Sequence, residues 1–218
     1  MTEEDRHSRA LEPEIISDPV EKARKEAANG LRQIDAVNEM IEAWLQPDRP
    51  FKLRLSHILH LHRFALEGLS SYAGNFRPAQ IEIGGSKHQP VEAFLVPEKI
   101  EELCDYVNQS WRQKSPIHLA AYVLWRLNWI HPFTDGNGRT ARALAYLVLC
   151  VALGIRLPGT NTIPEQISTK KQPYYAALEA ADLASQGGVL DLTEMEKLLS
   201  ALLAEQLVSV HKSATESR

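Results

Sequence analysis

HPFTDGNGRTAR, residues 131–142, lies between two apolar segments and carries most of the recognisable chemistry of this chain. The preceding segment, residues 117–130, has leucine, valine and isoleucine at helical spacing. The following segment, residues 141–153, is almost wholly apolar and predicts a buried helix. Because buried charge is costly unless it binds something, a polar loop between two core helices predicts a functional site.

Two glycines and two arginines in this stretch predict a phosphate-binding turn. Gly136 and Gly138 allow the backbone to turn tightly, so that N–H groups at the start of the next helix can point at one anion. Arg139 and Arg142 are three residues apart and lie on neighbouring positions of one helical face. Their forked donors can reach further phosphate oxygens, so a diphosphate or triphosphate is the expected ligand.

A carboxylate and an imidazole precede this turn. Asp135 can hold a divalent cation, since Mg²⁺ typically binds through one or two carboxylates plus substrate phosphates. The unperturbed pKa of histidine is about 6.5, so His131 can accept a proton near neutral pH. A nucleophilic hydroxyl is the expected proton donor.

The order of these residues resembles the signature of the Fic family. That signature is a histidine, any residue, phenylalanine, any residue, an acidic residue, then Gly-Asn-Gly-Arg and a second arginine three positions later, and every defining position is filled. The resemblance implies an all-α fold, a Fic-type helical bundle with a short β-hairpin flap. It also implies an enzyme that uses ATP and Mg²⁺ to transfer AMP to a Tyr, Thr or Ser hydroxyl of a target protein.

The resemblance assigns a role to each residue of the signature. By that resemblance His131 would be the general base and Asp135 the Mg²⁺ ligand. The other roles would be an anion hole at Gly136, Asn137 and Gly138, β-phosphate binding at Arg139, γ-phosphate binding at Arg142, and orientation of the loop by Phe133 pointing into the core.

Residues 80–92 break the helical pattern and predict the flap hairpin. Residues 80–83 alternate before two glycines, and residues 91–96 read as a second extended segment. In the family such a flap covers the active site and holds the main chain of the target by strand addition. An ordinary surface hairpin is the alternative. The expected target-binding residues are Ile83, Gly84, Gly85, Ser86, Lys87 and His88.

A helix that opens at Gln172-Pro173 is expected to line the adenine pocket. In the family a tyrosine and a polar residue on this helix face the base. The candidates are Tyr174, Tyr175 and Asp182. The alternative is core packing for the two tyrosines and a solvated Asp182.

Four ranges organise the chain. Residues 1–13 are polar and are expected to form a disordered tail, and residues 14–50 an N-terminal helical region. Residues 51–187 are expected to form the Fic core, and residues 188–218 a final helix and tail.

Two details of the helices are also expected. The first helix should start at Asp18-Pro19, with Asp as its N-cap, and be interrupted at Asn29-Gly30. A core helix over residues 53–69 contains three histidines that we expect to be partly buried or on the surface: His57, His60 and His62.

Regulation is the least determined feature of the sequence. Many Fic proteins carry an inhibitory helix with the pattern Ser or Thr, three residues, Glu, then Gly or Asn, whose glutamate pairs with the second motif arginine. Only fragments of it occur here, from Ser8 to Glu12 and from Ser17 to Glu21. Glu26 lies one residue from the place expected for the glutamate, about 100° round a helix. We therefore expect Arg142 to lack a strong intramolecular glutamate partner.

Composition narrows the class of protein. The chain has 218 residues with 44% hydrophobic content and a net charge of −4, so it can bury a substantial core and gives no reason to expect a nucleic-acid surface. Its N-terminus lacks an apolar signal core and no run approaches the roughly 20 apolar residues of a membrane span, so a cytoplasmic enzyme is expected.

Other functions of the same fold stay open at this point. The chain could carry out another phosphoryl-type transfer or remove AMP. It could also be a latent, toxin-like nucleotide binder that a separate antitoxin protein controls, or a homo-oligomer that docks through its final helix.

Overall fold

The structure is a computed structural model that describes residues 8–9 and 12–216. Within these residues the fold is all-helical, with one short 3₁₀ turn at Ala93–Leu95 and two strands of two residues each. The helices are α1 (Pro19–Trp44), α2 (Leu55–Leu66), α3 (Val96–Ser110), α4 (Pro116–Ile130), α5 (Asn137–Leu153), α6 (Ile163–Thr169), α7 (Lys171–Gln186) and α8 (Thr193–Glu216).

Helices α4 and α5 form the centre of the core and pack on each other more extensively than any other described pair. Helices α1 and α2 cover α5, while α3 and α8 cover α4. The apolar run of α5 is buried from Ala143 to Cys150, as the sequence predicts. The loop that joins the two central helices, residues 131–136, therefore emerges from the middle of the bundle.

None of the described helices combines the length with the apolar character that a membrane crossing requires.

Helix α1 is continuous through Asn29-Gly30, so the predicted interruption is wrong. The Asn29 side chain is fully buried and donates from Nδ2 to the carbonyl oxygens of Ala65 (3.3 Å) and Glu67 (2.9 Å). Gln33, one turn further, donates to the carbonyl oxygen of Leu61 at 2.9 Å. These bonds attach α1 to the end of α2, and this tertiary attachment offsets the low helix propensity of the Asn-Gly pair. The predicted Asp18 N-cap is confirmed, with Oδ1 accepting from two N–H groups of the first turn.

His62 joins α2 to the central loop. Its ring is fully buried and stacks on Phe133, with centroids 3.6 Å apart and planes 4° apart. Nδ1 accepts from the Gly74 N–H at 3.0 Å, which assigns the proton to Nε2, and Nε2 donates to the Asp135 carbonyl oxygen at 3.0 Å. The expected surface or partly buried position is wrong for His62, because the loop and α2 close over it. Burial lowers its pKa to about 4.

Within the described residues, 80–92 form no hairpin, so the predicted flap hairpin is wrong. Strand β2 (Glu82–Ile83) pairs antiparallel with β1 (Ser8–Arg9), and Ser8 lies opposite Ile83. Residues 91–96, expected to be extended, instead enter the 3₁₀ turn and the start of α3.

Side chains satisfy the backbone of this loop where a hairpin would use a second strand. The Arg77 guanidinium donates to the carbonyl oxygens of Ala79, at 3.0 Å, and of Val91. Gln80 donates from Nε2 to the carbonyl oxygen of Pro90 at 2.9 Å. Since buried or half-buried carbonyls need a donor, these bonds remove the demand for a strand partner on the C-terminal side of the loop.

The continuity of α1 predicts that Gly30→Ala stabilises the protein. A Cβ built at Gly30 meets no atom within 4 Å apart from its chain neighbours and the backbone of its own helix. The free energy of unfolding in urea should rise by about 0.5–1 kcal/mol. Gly154→Ala is the matched control, since it also meets open space but has φ +73°, and it should lower that free energy by about 1 kcal/mol. A destabilising Gly30→Ala would contradict an uninterrupted α1.

The burial of His62 predicts a pH-dependent contribution to stability. Its folded pKa of about 4 lies below the unfolded value of 6.5, so the contribution is complete above pH 6.5 and is lost as the pH falls toward 4. Between pH 6 and 5, His62→Gln should reduce the slope of unfolding free energy against pH by about 1 kcal/mol per unit. Urea titrations at several pH values measure the slope. The exposed His60, changed to Gln, serves as the control, and equal slopes in wild type and His62→Gln would contradict the buried neutral ring.

Candidate functional site

His131 ends α4 in a conformation that is uncommon for a residue with a side chain. It is the C-cap of the helix, with φ 52° and ψ 60°, and its N–H donates to the Leu127 carbonyl oxygen at 2.9 Å. Arg77 fixes the chain on the other side, because its Nε donates to the His131 carbonyl oxygen and its backbone N–H donates to the Pro132 carbonyl oxygen, both at 2.9 Å. The left-handed turn therefore aims the His131 ring back across the end of α4.

The His131 ring is 7% exposed, and its partners define its protonation. Nδ1 lies 3.2 Å from the Asn128 carbonyl oxygen. Because a carbonyl oxygen can only accept a hydrogen bond, the ring proton is assigned to Nδ1. Nε2 lies 2.9 Å from the Ser8 hydroxyl oxygen and is left as a proton acceptor. Burial lowers the pKa of His131 to about 4. The ring is therefore neutral at pH 7 and faces a hydroxyl with its basic nitrogen.

Asn137 closes the loop that follows His131. Its Oδ1 accepts from the Phe133 N–H at 2.9 Å, and its Nδ2 donates to the Phe133 carbonyl oxygen at 2.8 Å and to the Ser8 hydroxyl at 3.3 Å. Asn137 and Phe133 are both buried. The side chain of Asn137 thus acts as a clamp inside the loop, a function that the sequence does not predict.

Helix α5 begins directly after the loop, and its two glycines differ. Gly136 is the N-cap with φ 75°, and a Cβ there would lie 2.3 Å from Leu66 Cδ2. Gly138 lies within the first turn of α5, so the tight turn that the sequence predicts for both glycines is made by Gly136 alone. The first N–H groups of an α-helix lack intrahelical partners, and Gly136, Asn137 and Gly138 line a cavity. This end of α5 is suited to an anion.

The cavity has a volume of about 380 Å³ and brings positive charge to the start of α5. It is lined by Arg139, Arg142 and Lys171, and by the carboxylates of Asp135 and Glu26. A Cβ at Gly138 would lie 3.2 Å from an Nη atom of Arg142, so the guanidinium lies over the first turn of the helix. The volume of the cavity is within the range of small-molecule binding sites.

Asp135, just before α5, is paired with Arg139 in its first turn, with 2.7 Å between Oδ2 and Nη2. Within the described residues, no group of three or more His, Cys, Asp and Glu side chains could hold a metal ion. An exposed carboxylate such as Asp135, next to an anion site, fits Mg²⁺, because this ion commonly takes its other ligands from phosphate oxygens and water.

The three adenine-pocket candidates all line the cavity. The Tyr174 hydroxyl accepts from Asn128 Nδ2 at 2.7 Å, and Asp182 Oδ1 accepts from Trp125 Nε1 at 2.8 Å. The Asp182 side chain is 15% exposed and is therefore held by the protein. Tyr175 lies beside Tyr174, with ring centroids 5.8 Å apart.

Three of the six predicted target-binding residues line the cavity, and the other three do not. Ile83, Ser86 and His88 line the cavity. His88 donates from Nε2 to the Trp129 carbonyl oxygen at 2.7 Å, which anchors the loop to α4. Gly84, Gly85 and Lys87 lie in the loop between these residues.

The N-terminal segment reaches the site, which the prediction of a disordered tail over residues 1–13 missed. Ser8 lines the cavity, and Ser8 and Arg9 pair with β2. Glu12 accepts hydrogen bonds from Ser70, Ser71 and Thr134. The part of that prediction concerning residues 1–7 and 10–11 lies outside the described residues.

Other residues, to which the sequence analysis gives no part in the site, hold or line it. Arg77 and His62 hold the loop from outside, and Lys171 contributes charge to the cavity. No local motif marks Arg77 or His62, since each acts through backbone atoms more than 50 residues away. Glu26 and Arg142 share the cavity, and their relation stays a prediction.

Comparison with protein families confirms the resemblance. A model described as Fic/DOC family matches residues 52–149. "Protein adenylyltransferase fic-1" from Caenorhabditis briggsae is 32% identical over 152 residues, which cover 69% of this chain and 28% of that protein. The chain therefore matches about a quarter of this relative's length.

Solved structures show the same fold. Fic-1 from C. elegans superposes with a TM-score of 0.68 at 25% identity, covering 92% of this chain and 55% of that one. BepC from Bartonella tribocorum, whose structure has bound AMPPNP, gives a TM-score of 0.54 at 16% identity, covering 86% of this chain and 88% of that one. The chain contains a Fic/DOC family domain at residues 52–149.

Proposed function

We propose that this chain is a protein adenylyltransferase that transfers AMP from ATP to a Ser, Thr or Tyr hydroxyl. The observation that carries the proposal is the 2.9 Å contact between a serine hydroxyl and the basic nitrogen of a buried, neutral His131, inside a cavity lined by two arginines and a helix N-terminus. A base, a hydroxyl and an anion site are the three parts that this transfer needs. The family relatives named protein adenylyltransferase support the same reaction.

The site residues divide the work of the transfer. His131 Nε2 takes the proton as the hydroxyl oxygen attacks the α-phosphorus, and the bond from that phosphorus to the bridging oxygen breaks. The departing pyrophosphate is stabilised by the start of α5, by Arg139 toward the β-phosphate and by Arg142 toward the γ-phosphate. Asn137 keeps the loop closed beneath the reacting groups.

Magnesium is the cofactor of this proposal. Asp135 would hold it together with phosphate oxygens, and the ion would supply neutralisation of negative charge. The Asp135 side chain is 55% exposed and lies just before the start of α5. This position suits a carboxylate that binds an ion together with a bound nucleotide.

The adenine base is proposed to lie against Tyr174, Tyr175 and Asp182. All three line the same cavity as Arg139 and Arg142, so one nucleotide can contact these residues with its base and the arginines with its phosphates. The half-buried Tyr175 ring supplies a surface for stacking, and Tyr174, which is 2% exposed, packs beside it. Asp182 supplies an acceptor for an exocyclic amine.

A protein target is proposed to bind at β2 by its main chain. The proposal is supported by β1, which pairs antiparallel with Glu82 and Ile83 and places the Ser8 side chain against His131. Main-chain pairing tolerates many target sequences, so specificity would come from surfaces outside β2. The use of ATP and Mg²⁺ favours a cytoplasmic setting.

Replacing His131 by Ala tests the assignment of the base. The rate at which label passes from α-labelled ATP to protein should fall by roughly 10²- to 10⁴-fold, because proton transfer to the base is lost. The affinity for ATP, measured by calorimetry, should change little. His60→Ala, at an exposed position of α2, is the control and should keep full activity.

The mass of the group added to the acceptor distinguishes AMP transfer from other phosphoryl-type transfers. An added AMP supports the proposal, whereas an added phosphate would assign the chain to another phosphoryl-type transfer. Undiminished transfer by His131→Ala would exclude His131 as the base.

A further inference from the structure

We propose that Ser8 is a modification site of this chain, adenylylated in cis by its own active site. The inference rests on the proposed function and deepens it by naming an acceptor. Ser8 lies outside the motif of residues 131–142, 123 residues from His131, and the sequence marks it only as the start of an incomplete inhibitory pattern.

The Ser8 hydroxyl has the contacts of a nucleophile. Because Nδ1 of His131 carries the proton that is donated to the Asn128 carbonyl, the Ser8 hydroxyl is the donor in its 2.9 Å bond with Nε2. Asn137 Nδ2 donates to the same hydroxyl oxygen at 3.3 Å and so restricts its rotation. The proton that must leave is therefore already directed at the base.

The backbone of Ser8 is held as a target strand would be. Ser8 lies opposite Ile83 and Arg9 opposite Glu82 in an antiparallel pair. Ser8 also lines the cavity that contains Arg139 and Arg142. Strand pairing therefore sets the distance between the acceptor hydroxyl and the nucleotide site.

Glu12 attaches the same segment to the rim of the site. Its carboxylate accepts from Ser70 Oγ (2.7 Å), the Ser71 N–H (2.6 Å), Ser71 Oγ (2.9 Å) and Thr134 Oγ1 (2.9 Å). Burial alone would raise the pKa of Glu12, but these hydrogen bonds outweigh it and hold the pKa below its usual value. The carboxylate is therefore ionised at neutral pH and makes charge-assisted bonds.

The reaction at Ser8 is balanced with ATP as the second substrate. The Ser8 oxygen forms a bond to the α-phosphorus, the bond between that phosphorus and the oxygen leading to the β-phosphate breaks, and pyrophosphate leaves. The hydroxyl proton passes to His131 Nε2. The product is an AMP phosphodiester on Ser8.

Four purified full-length proteins test the proposal: wild type, Ser8→Ala, Ser17→Ala and His131→Ala. Each is incubated with α-labelled ATP and Mg²⁺, and the modified residue is located by peptide mass spectrometry. Wild type and the exposed-serine control Ser17→Ala should carry AMP on Ser8, at a rate per molecule that does not depend on protein concentration. Ser8→Ala should lose this label by at least tenfold, as should His131→Ala.

Mixing experiments separate cis from trans transfer. Ser8→Ala, which keeps the active site, is mixed with His131→Ala, which keeps the acceptor. In-cis modification predicts no AMP on Ser8 of the His131→Ala chain. AMP on Ser8 of that chain, or AMP on wild type only at residues other than Ser8, would overturn the proposal.

The same assay separates this proposal from the proposed function. A cell lysate is added as a mixture of acceptor proteins, with Ser8→Ala as the enzyme. Transfer of AMP to lysate proteins together with an unmodified Ser8 in wild type would overturn the Ser8 assignment and leave the adenylyltransferase intact. No transfer to any protein by any variant would overturn both.

Glu12→Gln tests whether the segment is positioned by its carboxylate. The variant keeps Ser8 and the whole nucleotide site but weakens the four bonds to the rim. Modification of Ser8 should slow by several-fold, while transfer to lysate proteins should be unchanged or faster. An unchanged rate at Ser8 would contradict this positioning, and an equal loss on both acceptors would indicate damage to the active site.

Discussion

The buried guanidinium of Arg77 is the constraint on which the arrangement of the site depends. It is 2% exposed and donates to the carbonyl oxygens of His131, Ala79 and Val91. A buried charge without such partners would be costly, so the three bonds are conditions for burying it at all. They also join the end of α4 to the loop that carries β2. The base and the strand edge therefore keep a fixed relation to each other, although they come from different parts of the chain.

That fixed relation explains how a neutral histidine can be both buried and reactive. The left-handed turn at His131 places its ring in a dry environment, where the pKa falls to about 4, and the Asn128 carbonyl oxygen selects the Nδ1 tautomer. Loss of solvent makes the ring a weaker base than in water. The site compensates by holding the hydroxyl against Nε2. The positioning of the hydroxyl therefore contributes more to catalysis than the basicity of the ring does.

The sequence predicts the parts of the structure whose causes are local. The helical periods of α4 and α5 lie in the spacing of their own apolar residues, and the nine residues from His131 to Arg139 form a continuous motif. The flap hairpin was predicted wrongly because its partner strand is Ser8–Arg9, more than 70 residues away, and because Arg77 and Gln80 satisfy the loop carbonyls. The continuity of α1 also depends on distant carbonyls of α2. Each failure depends on contacts outside the local pattern, either a strand partner far away in the chain or a side chain bonded to backbone carbonyls, and no short pattern encodes such pairs.

The edge of β2 can pair with one strand at a time on the side that faces His131, and β1 already occupies it. A protein target that uses the same edge must therefore displace residues 8–9 first, and Glu12 adds to the cost of displacement through its bonds to Ser70, Ser71 and Thr134. An AMP group on Ser8 would remove the proton that the hydroxyl donates to His131 and would add volume and negative charge at that point. The modified segment would then fit the groove less well than the unmodified one. Residues 8–9 and a protein target would therefore compete for one strand edge, and weaker seating of the segment in the groove would favour the target.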